Sequence, residues 1–276
     1  MSIFVCPVCG EGLENCKTSY ICEKGHSFDI SAQGYVNLLS GKTKSNSGDN
    51  AEMMSARTRF LNNGYYTCLK NSICELAVTS LKNNKTGELP LLVDAGCGEG
   101  YYTAAAAWYL KENSVIGQTA GIDISKNGIK AAARRDKMTA YAVASIFEMP
   151  FANEAADIIL SVFAPYCESE FRRVIKKGGS VVLVSPGREH LLGLKTVLYD
   201  NPYENVEKFV CPDGFETVDK FTVKDNISVK SADIGDLFLM TPYYWKSPIE
   251  ASLRLKAIEQ LDTPIDFIIT VIKKLK

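Results

Sequence analysis

From Ala51 onward, apolar positions recur at helical spacing. Met53, Met54, Ala56, Phe60 and Leu61 share one face, and Gly64 closes the run. Leu69, Ile73, Leu76 and Leu81 predict a second helix over Thr67–Leu81. The rhythm then changes. Short apolar runs at Leu89–Ala95, Thr119–Ile124, Ala140–Ala144, Ala156–Ala164 and the β-branched Ser180–Ser185 predict strands. Tyr102–Leu110, Lys126–Arg134 and Glu168–Ile175 predict the helices between them, and Gly178-Gly179 a turn. Strands alternating with helices imply βαβ units on a parallel sheet, an α/β fold. Leu237–Trp245 and Pro264–Lys276 are read as later strands. Ahead of Ala51 the pattern is different. Alternating stretches at Ser19–Cys22 and His26–Ile30 predict a small β-rich knuckle, and the almost wholly polar Gly41–Asn50 predicts a linker. The expected organisation is a small module over 1–40, a linker over 41–50 and an α/β domain over 51–276.

The strand Leu91–Ala95 runs into Gly96-Cys97-Gly98-Glu99-Gly100, and a helix follows. Glycines let the backbone turn sharply and approach a ligand, and the helix start offers free N–H groups. A dinucleotide site uses G-x-G-x-x-G with a pyrophosphate on the helix N-terminus. Here the spacing is G-x-G-x-G, and Asp94 stands before it. A carboxylate at that point repels a pyrophosphate and suits the cationic end of S-adenosylmethionine. Asp123 ends the next strand, about where a ribose-diol acceptor belongs. A glycine turn alone would serve equally as a tight βα connection. Asp94, Asp123 and the βα rhythm together point to S-adenosylmethionine.

Nine cysteines are present, an odd number, and four fall in the first 22 residues. Cys6-Pro7-Val8-Cys9 is followed, after twelve intervening residues, by Cys22-Glu23-Lys24-Gly25-His26. Two ligand pairs on two tight turns supply four N/S donors for tetrahedral Zn²⁺, and four protein ligands make a structural site. A redox CxxC pair would open a helix beside a βαβ unit, and none stands there. Cys16 is an alternative ligand, read as a bystander because Cys22 and His26 complete the set. Composition is ordinary for a globular protein, with 46% apolar and 23% charged residues. No apolar run suits a membrane helix and no secretory signal opens the chain, so a cytoplasmic protein is expected. The formal net charge of −1 excludes a general basic excess, so any RNA surface must be a local patch.

The form Asp94-x-Gly96-x-Gly98-x-Gly100 resembles the first motif of class I, Rossmann-like methyltransferases. The resemblance implies a cofactor held by Gly96–Gly100, with Asp123 on the ribose and Ser145 near the adenine. A wider set narrows it: Phe28-Asp29, Gly34–Leu39, Gly48–Met54, Ala56-Arg57, Phe60-Leu61, Gly98–Tyr102, His190-Leu191, and Met240-Thr241-Pro242 before Trp245. Together with the knuckle these resemble the RlmA family, ribosomal RNA methyltransferases acting on N1 of a guanine in large-subunit (23S) RNA. The family implies zinc on Cys6, Cys9, Cys22 and His26, and cofactor contacts at Tyr66, Gly98, Glu99 and His190. It also implies that the zinc module helps hold an RNA hairpin over the cleft, and that the chain forms a homodimer. Without the resemblance, Tyr66 reads as a packing residue and Arg172, Arg173, Lys176 and Lys177 as a solvated helix end. Two other readings compete: a small-molecule methyltransferase, and a zinc-ribbon interaction module on a non-catalytic core. Asp29, Glu99 and Glu168 are candidate general bases, with nothing to choose among them. Phe163-Ala164-Pro165-Tyr166-Cys167 ends the fourth core strand. Exocyclic-amine enzymes place a side-chain oxygen at the position of Phe163, and cytosine C5 enzymes a nucleophilic Cys directly after the Pro. Neither pattern is present and Cys167 reads as a packing residue, which leaves a ring nitrogen as acceptor.

Overall fold

The structure is a computed structural model that describes residues 2–40, 50–82 and 89–275. All of the expected linker except Asn50 therefore lies outside the described residues. Strands β1 (Leu13–Asn15), β2 (Ser19–Cys22) and β3 (Ser27–Asp29) form an antiparallel ribbon in the order β1-β2-β3. After it come β4 (Val36–Asn37), α1 (Ala51–Asn62) and α2 (Thr67–Lys82). The Asn50 side chain caps α1 by accepting from the Met53 amide at 2.9 Å. The alternating core follows: β5 (Leu91–Ala95), α3 (Tyr101–Glu112), β6 (Gln118–Asp123), α4 (Lys126–Arg135), β7 (Ala140–Val143), β8 (Ala156–Val162), α5 (Glu168–Val174) and β9 (Ile175–Pro186). The chain closes with α6 (Leu192–Leu198), β10 (Phe215–Lys230), α7 (Ser231–Leu239), α8 (Tyr243–Lys246), α9 (Ile249–Lys256) and β11 (Gln260–Lys274).

One eight-stranded sheet carries the order β10-β11-β9-β8-β5-β6-β7-β4. From β9 to β4 the strands are parallel, whereas β11 runs antiparallel to β9 and β10 antiparallel to β11. Every residue of β5 is buried, as a strand covered on both faces requires. One apolar layer joins Phe60, Leu69 and Ile73 to Leu92, Leu160 and Phe267. The other joins Val93, Ile122, Ile159 and Val181 to Phe151 and Phe171, and it takes in Phe4 and Leu13 of the ribbon. The ribbon is thus docked on the sheet domain. The rings of Phe4 and Phe151 lie 5.5 Å apart, and the Val5 amide donates to the Pro150 carbonyl at 2.9 Å. The edge strand β4 joins the large sheet beside β7.

The tail departs from the pattern-based reading. Leu237–Trp245 is helical, spanning the end of α7 and α8. Ile234, Leu237 and Phe238 are buried at i, i+3 and i+4, so their apolar run is the buried stripe of a helix. The expected turn at Gly178-Gly179 lies inside β9, where Gly178 takes φ +75°. Strand β10, absent from the reading, is a largely exposed edge strand that pairs along its length with β11.

Candidate cofactor site and metal centre

Strand β5 has β6 on one side and β8 on the other, which makes its C-terminal end the topological switch point of the sheet. The glycine loop leaves from there. Gly96, Gly98 and Gly100 have φ of +87°, +54° and +78°, the left-handed region that favours glycine. A Cβ on Gly96 would lie 2.5 Å from that of Ala164, and one on Gly100 2.7 Å from that of Ala132. At Gly98 the nearest atom would be Arg57 Nη1, at 3.5 Å, so the middle of the loop keeps an open side. The amides of Gly96 and Cys97 both donate to the Ile122 carbonyl, which ties the loop to the end of β6. Asp123 holds it from the same side: Oδ2 accepts from the Gly98 amide at 2.9 Å and Oδ1 from the Ser125 amide at 2.7 Å. Behind the loop, α3 begins at Gly100 without a side-chain cap. Ser145 lies on the turn after β7, where its Oγ accepts from the Phe147 amide at 3.2 Å.

Asp94 is 1% exposed. Its Oδ2 accepts from Thr103 Oγ1 at 2.5 Å, while Oδ1 has no hydrogen-bond partner among the described residues. Burial pushes its carboxyl up to about 7, the Thr103 bond opposes this, and the charges of Asp123 and Glu99 add to it. Glu99 is also buried and pairs with Arg135 at 3.1 Å. Burial raises its pKa, and Arg135 and Arg57 pull it back. Tyr66 and His190 meet in an aromatic cluster with Phe60 and Phe267, and Tyr66 Oη lies 3.4 Å from His190 Nε2. The Asp266 amide donates to His190 Nδ1 at 3.3 Å. Burial lowers the His190 pKa to about 3, so the ring is neutral and carries its proton on Nε2, facing Tyr66.

The site therefore gathers the glycine loop, Asp94, Glu99 and Asp123 around one strand end, with Tyr66 and His190 paired beyond it. Three side chains escaped the sequence reading: Thr103, which holds Asp94; Arg135, which holds Glu99; and Arg57, beside Gly98. Arg57 belongs to the Ala56-Arg57 motif, but only folding brings α1 against the loop. Of the candidate bases, Glu99 is tied to Arg135, Glu168 pairs with Arg172 at 2.8 Å, and Asp29 is exposed on β3. Cys167 is buried beside Phe171 in the ribbon-side layer, whereas Phe163 stacks on His190 in the opposite one.

In the ribbon, the ligand atoms of Cys6, Cys9, Cys22 and His26 all lie within 4.8 Å of one another. The Cys9 and Cys22 sulfurs are 3.7 Å apart, and His26 Nδ1 is 3.6 Å from Cys6 Sγ and 3.3 Å from Cys22 Sγ. Zn–S bonds of about 2.3 Å in a tetrahedron set S···S edges of about 3.8 Å, so the donor set fits zinc. Burial opposes the Cys22 thiolate, but hydrogen bonds from the His26 and Lys24 backbone and the His26 ring help draw its pKa down to about 6. Gly10 and Gly25 turn the two knuckles at φ +78° and +83°. Cys16 is exposed and outside the cluster.

A buried carboxylate oxygen without a partner among the described residues and a glycine loop with an open side suit a cationic cofactor at the switch point. That combination defines a class I S-adenosylmethionine-dependent methyltransferase, and residues 93–183 match the model of the methyltransferase domain. Residues 4–47 match the model of the RlmA N-terminal zinc ribbon. The chain is 33% identical over 277 residues to YxjB of Bacillus subtilis, covering 96% of this chain and 95% of that one. It is 31% identical over 258 residues to the 23S rRNA (guanine(748)-N(1))-methyltransferase of Streptomyces fradiae, covering 91% and 89%. The chain belongs to the RlmA family; its cofactor is S-adenosylmethionine, and its ribbon is a structural zinc site. Among solved structures, phosphoethanolamine N-methyltransferase 2 of Haemonchus contortus, bound to S-adenosyl-L-methionine, aligns with a TM-score of 0.43 at 14% identity, covering 86% of this chain and 61% of that one.

Proposed function

We propose that this protein transfers a methyl group from S-adenosylmethionine to N1 of a guanine in a large-subunit ribosomal RNA hairpin. The carrying observation is the match over 91% of this chain to the 23S rRNA (guanine(748)-N(1))-methyltransferase of Streptomyces fradiae, beside the ribbon match over residues 4–47. A small-molecule methyltransferase would share the core, but the docked zinc ribbon finds no use in it. In this reading residues 1–40 are the metal module and residues 51–276 the catalytic domain. The backbone of Gly96, Gly98, Glu99 and Gly100 lies along the cofactor, Asp94 faces its positive charge, Asp123 accepts from the ribose and Ser145 lies by the adenine. Tyr66 and His190 line the end toward the reacting methyl.

The bound cofactor supplies a sulfonium methyl on a good leaving group. The chain's own task is positioning, which can supply much of the acceleration. Guanine N1 carries a proton that passes to solvent as the methyl arrives and the thioether leaves, and it lies on the Watson–Crick edge, so the base must be unpaired and turned out of its stack. A neutral His190 and an ion-paired Glu99 keep stray charge away from the acceptor. The protein acts as a homodimer in the cytoplasm, beside its RNA. Among the described residues, no helix is long and apolar enough to cross a membrane.

The test supplies labelled S-adenosylmethionine with ribosomal RNA in one arm and a metabolite extract in the other. Nucleosides from the RNA are then separated and weighed. The expected product is 1-methylguanosine. Label in the extract alone, or in 5-methylcytidine, overturns the reading. Light scattering of the active protein checks the homodimer, and a monomeric mass would refute it.

A further inference from the structure

Phe163 has φ +54°, a left-handed conformation that is a genuine outlier for a bulky side chain. Such strain persists only where the surroundings impose it, and it gathers at functional sites. The surroundings are visible here. The Phe163 amide donates to the Val184 carbonyl at 3.1 Å, and the next residue, Ala164, sits where a Gly96 Cβ would collide. The segment is clamped between β9 and the glycine loop. Its ring is backed by His190, with centroids 6.0 Å apart and planes inclined by 27°, and by Phe267 at 5.8 Å. Even so, 44% of Phe163 stays exposed. An aromatic ring is thus held in a strained backbone, supported from behind and left open, at the end of β8 beside the cofactor loop.

We propose that Phe163 is the platform on which the extruded guanine stacks. The inference rests on the RNA-methylating function proposed above and names the residue that receives the base. A base turned out of its stack loses its neighbours, and an aromatic face replaces them. Flat support from one side leaves the Watson–Crick edge free to point toward the glycine loop. A side-chain oxygen at this position would serve an exocyclic amine; a ring serves the plane of the base and leaves the ring nitrogen unobstructed. Neutral His190 behind the ring adds apolar bulk without a competing charge.

The test measures methylation of a ribosomal RNA hairpin by Phe163→Leu, Phe163→Gly and Phe163→Tyr, with S-adenosylmethionine affinity followed by calorimetry. Leu keeps apolar bulk without the ring. Gly removes the ring and is unstrained at this φ, so it secures a folded variant if Leu is poorly tolerated. The expected result is a loss of about 10- to 100-fold in kcat/KM for RNA with Leu and Gly, the scale of one base–aromatic stack, with cofactor affinity unchanged and activity kept by Tyr. Wild-type kcat/KM in Leu or Gly overturns the proposal. So does a parallel loss of cofactor affinity, which would mean that the ring serves the cofactor. If the wild-type protein methylates no RNA, the proposed function fails and the stacking role fails with it; the wild-type arm separates that case from failure of the platform alone.

Discussion

Among the described residues Asp94 has one hydrogen-bond donor, Thr103, and burial lifts its carboxyl to about 7. An unfolded aspartate titrates near 3.9, so between about pH 4 and 7 the folded, cofactor-free protein binds more protons than the unfolded chain. Stability from this group is therefore present in acid, falls as pH rises through that window and levels off above it, by at most about 4 kcal/mol. His190 opposes it. With its pKa lowered to about 3, acidification below about 6.5 favours unfolding. The difference between the wild type and Asp94→Asn isolates the carboxylate. Urea unfolding from pH 4 to pH 8 should show the variant gaining on the wild type as pH rises, and parallel curves would refute the assignment. Asp123 carries the second prediction at this scale. Asp123→Ala removes the proposed ribose acceptor and frees the Gly98 and Ser125 amides, so cofactor binding should weaken by about 1.5–3 kcal/mol, the range for bonds to a charged group. Calorimetry decides it, and unchanged affinity would remove Asp123 from the site. The positions of Asp94 and Asp123 were readable because a strand end fixes where its last residue lies. The orphaned Oδ1 of Asp94 was not, because burial comes from packing.

Among the elements, the ribbon depends most on one group. Its strands are three or four residues long, too short to fold on their own apolar contacts. Zinc binding supplies the missing stability. Cys22→Ser should release the metal, measured by elemental mass spectrometry, and raise hydrogen exchange over residues 2–30 while β5, β6 and β8 stay protected. Zinc retained at one per chain would refute the ligand set. The buried parallel strands and their helices were legible from period alone, because a strand covered on both faces is a continuous apolar run. Strand β10 was not, since Asp219 and Asp225 interrupt the face on which Phe221, Val223, Ile227 and Val229 alternate with polar residues. The tail helix α7 was misread because a short apolar run has the same look in a strand and in a helix.

For the whole molecule, the new element is the docking of the ribbon on the sheet domain. Phe4 is 1% exposed, and its ring faces Phe151 just beyond the Ser145 turn. Phe4→Ala should cost about 3–5 kcal/mol by opening a cavity at this junction, while the four ligands, set by local turns, keep their zinc. Denaturation with parallel metal analysis checks both halves. Loss of zinc together with stability would mean that docking and metal binding are one event.

The sequence by itself determined whatever depends on local spacing: the two zinc knuckles, the glycine loop with its flanking acids, and the βα alternation. Each is set by residues a few positions apart, whose geometry follows from turn and strand periods. Only the tertiary structure decided what comes from distant parts of the chain. It brought Arg57 beside Gly98, set Tyr66 against His190, locked Ala164 over Gly96 and so held Phe163 in its strained, open position. Those contacts join residues from about forty to over a hundred positions apart, and local periodicity carries no record of which segments meet when the sheet is assembled.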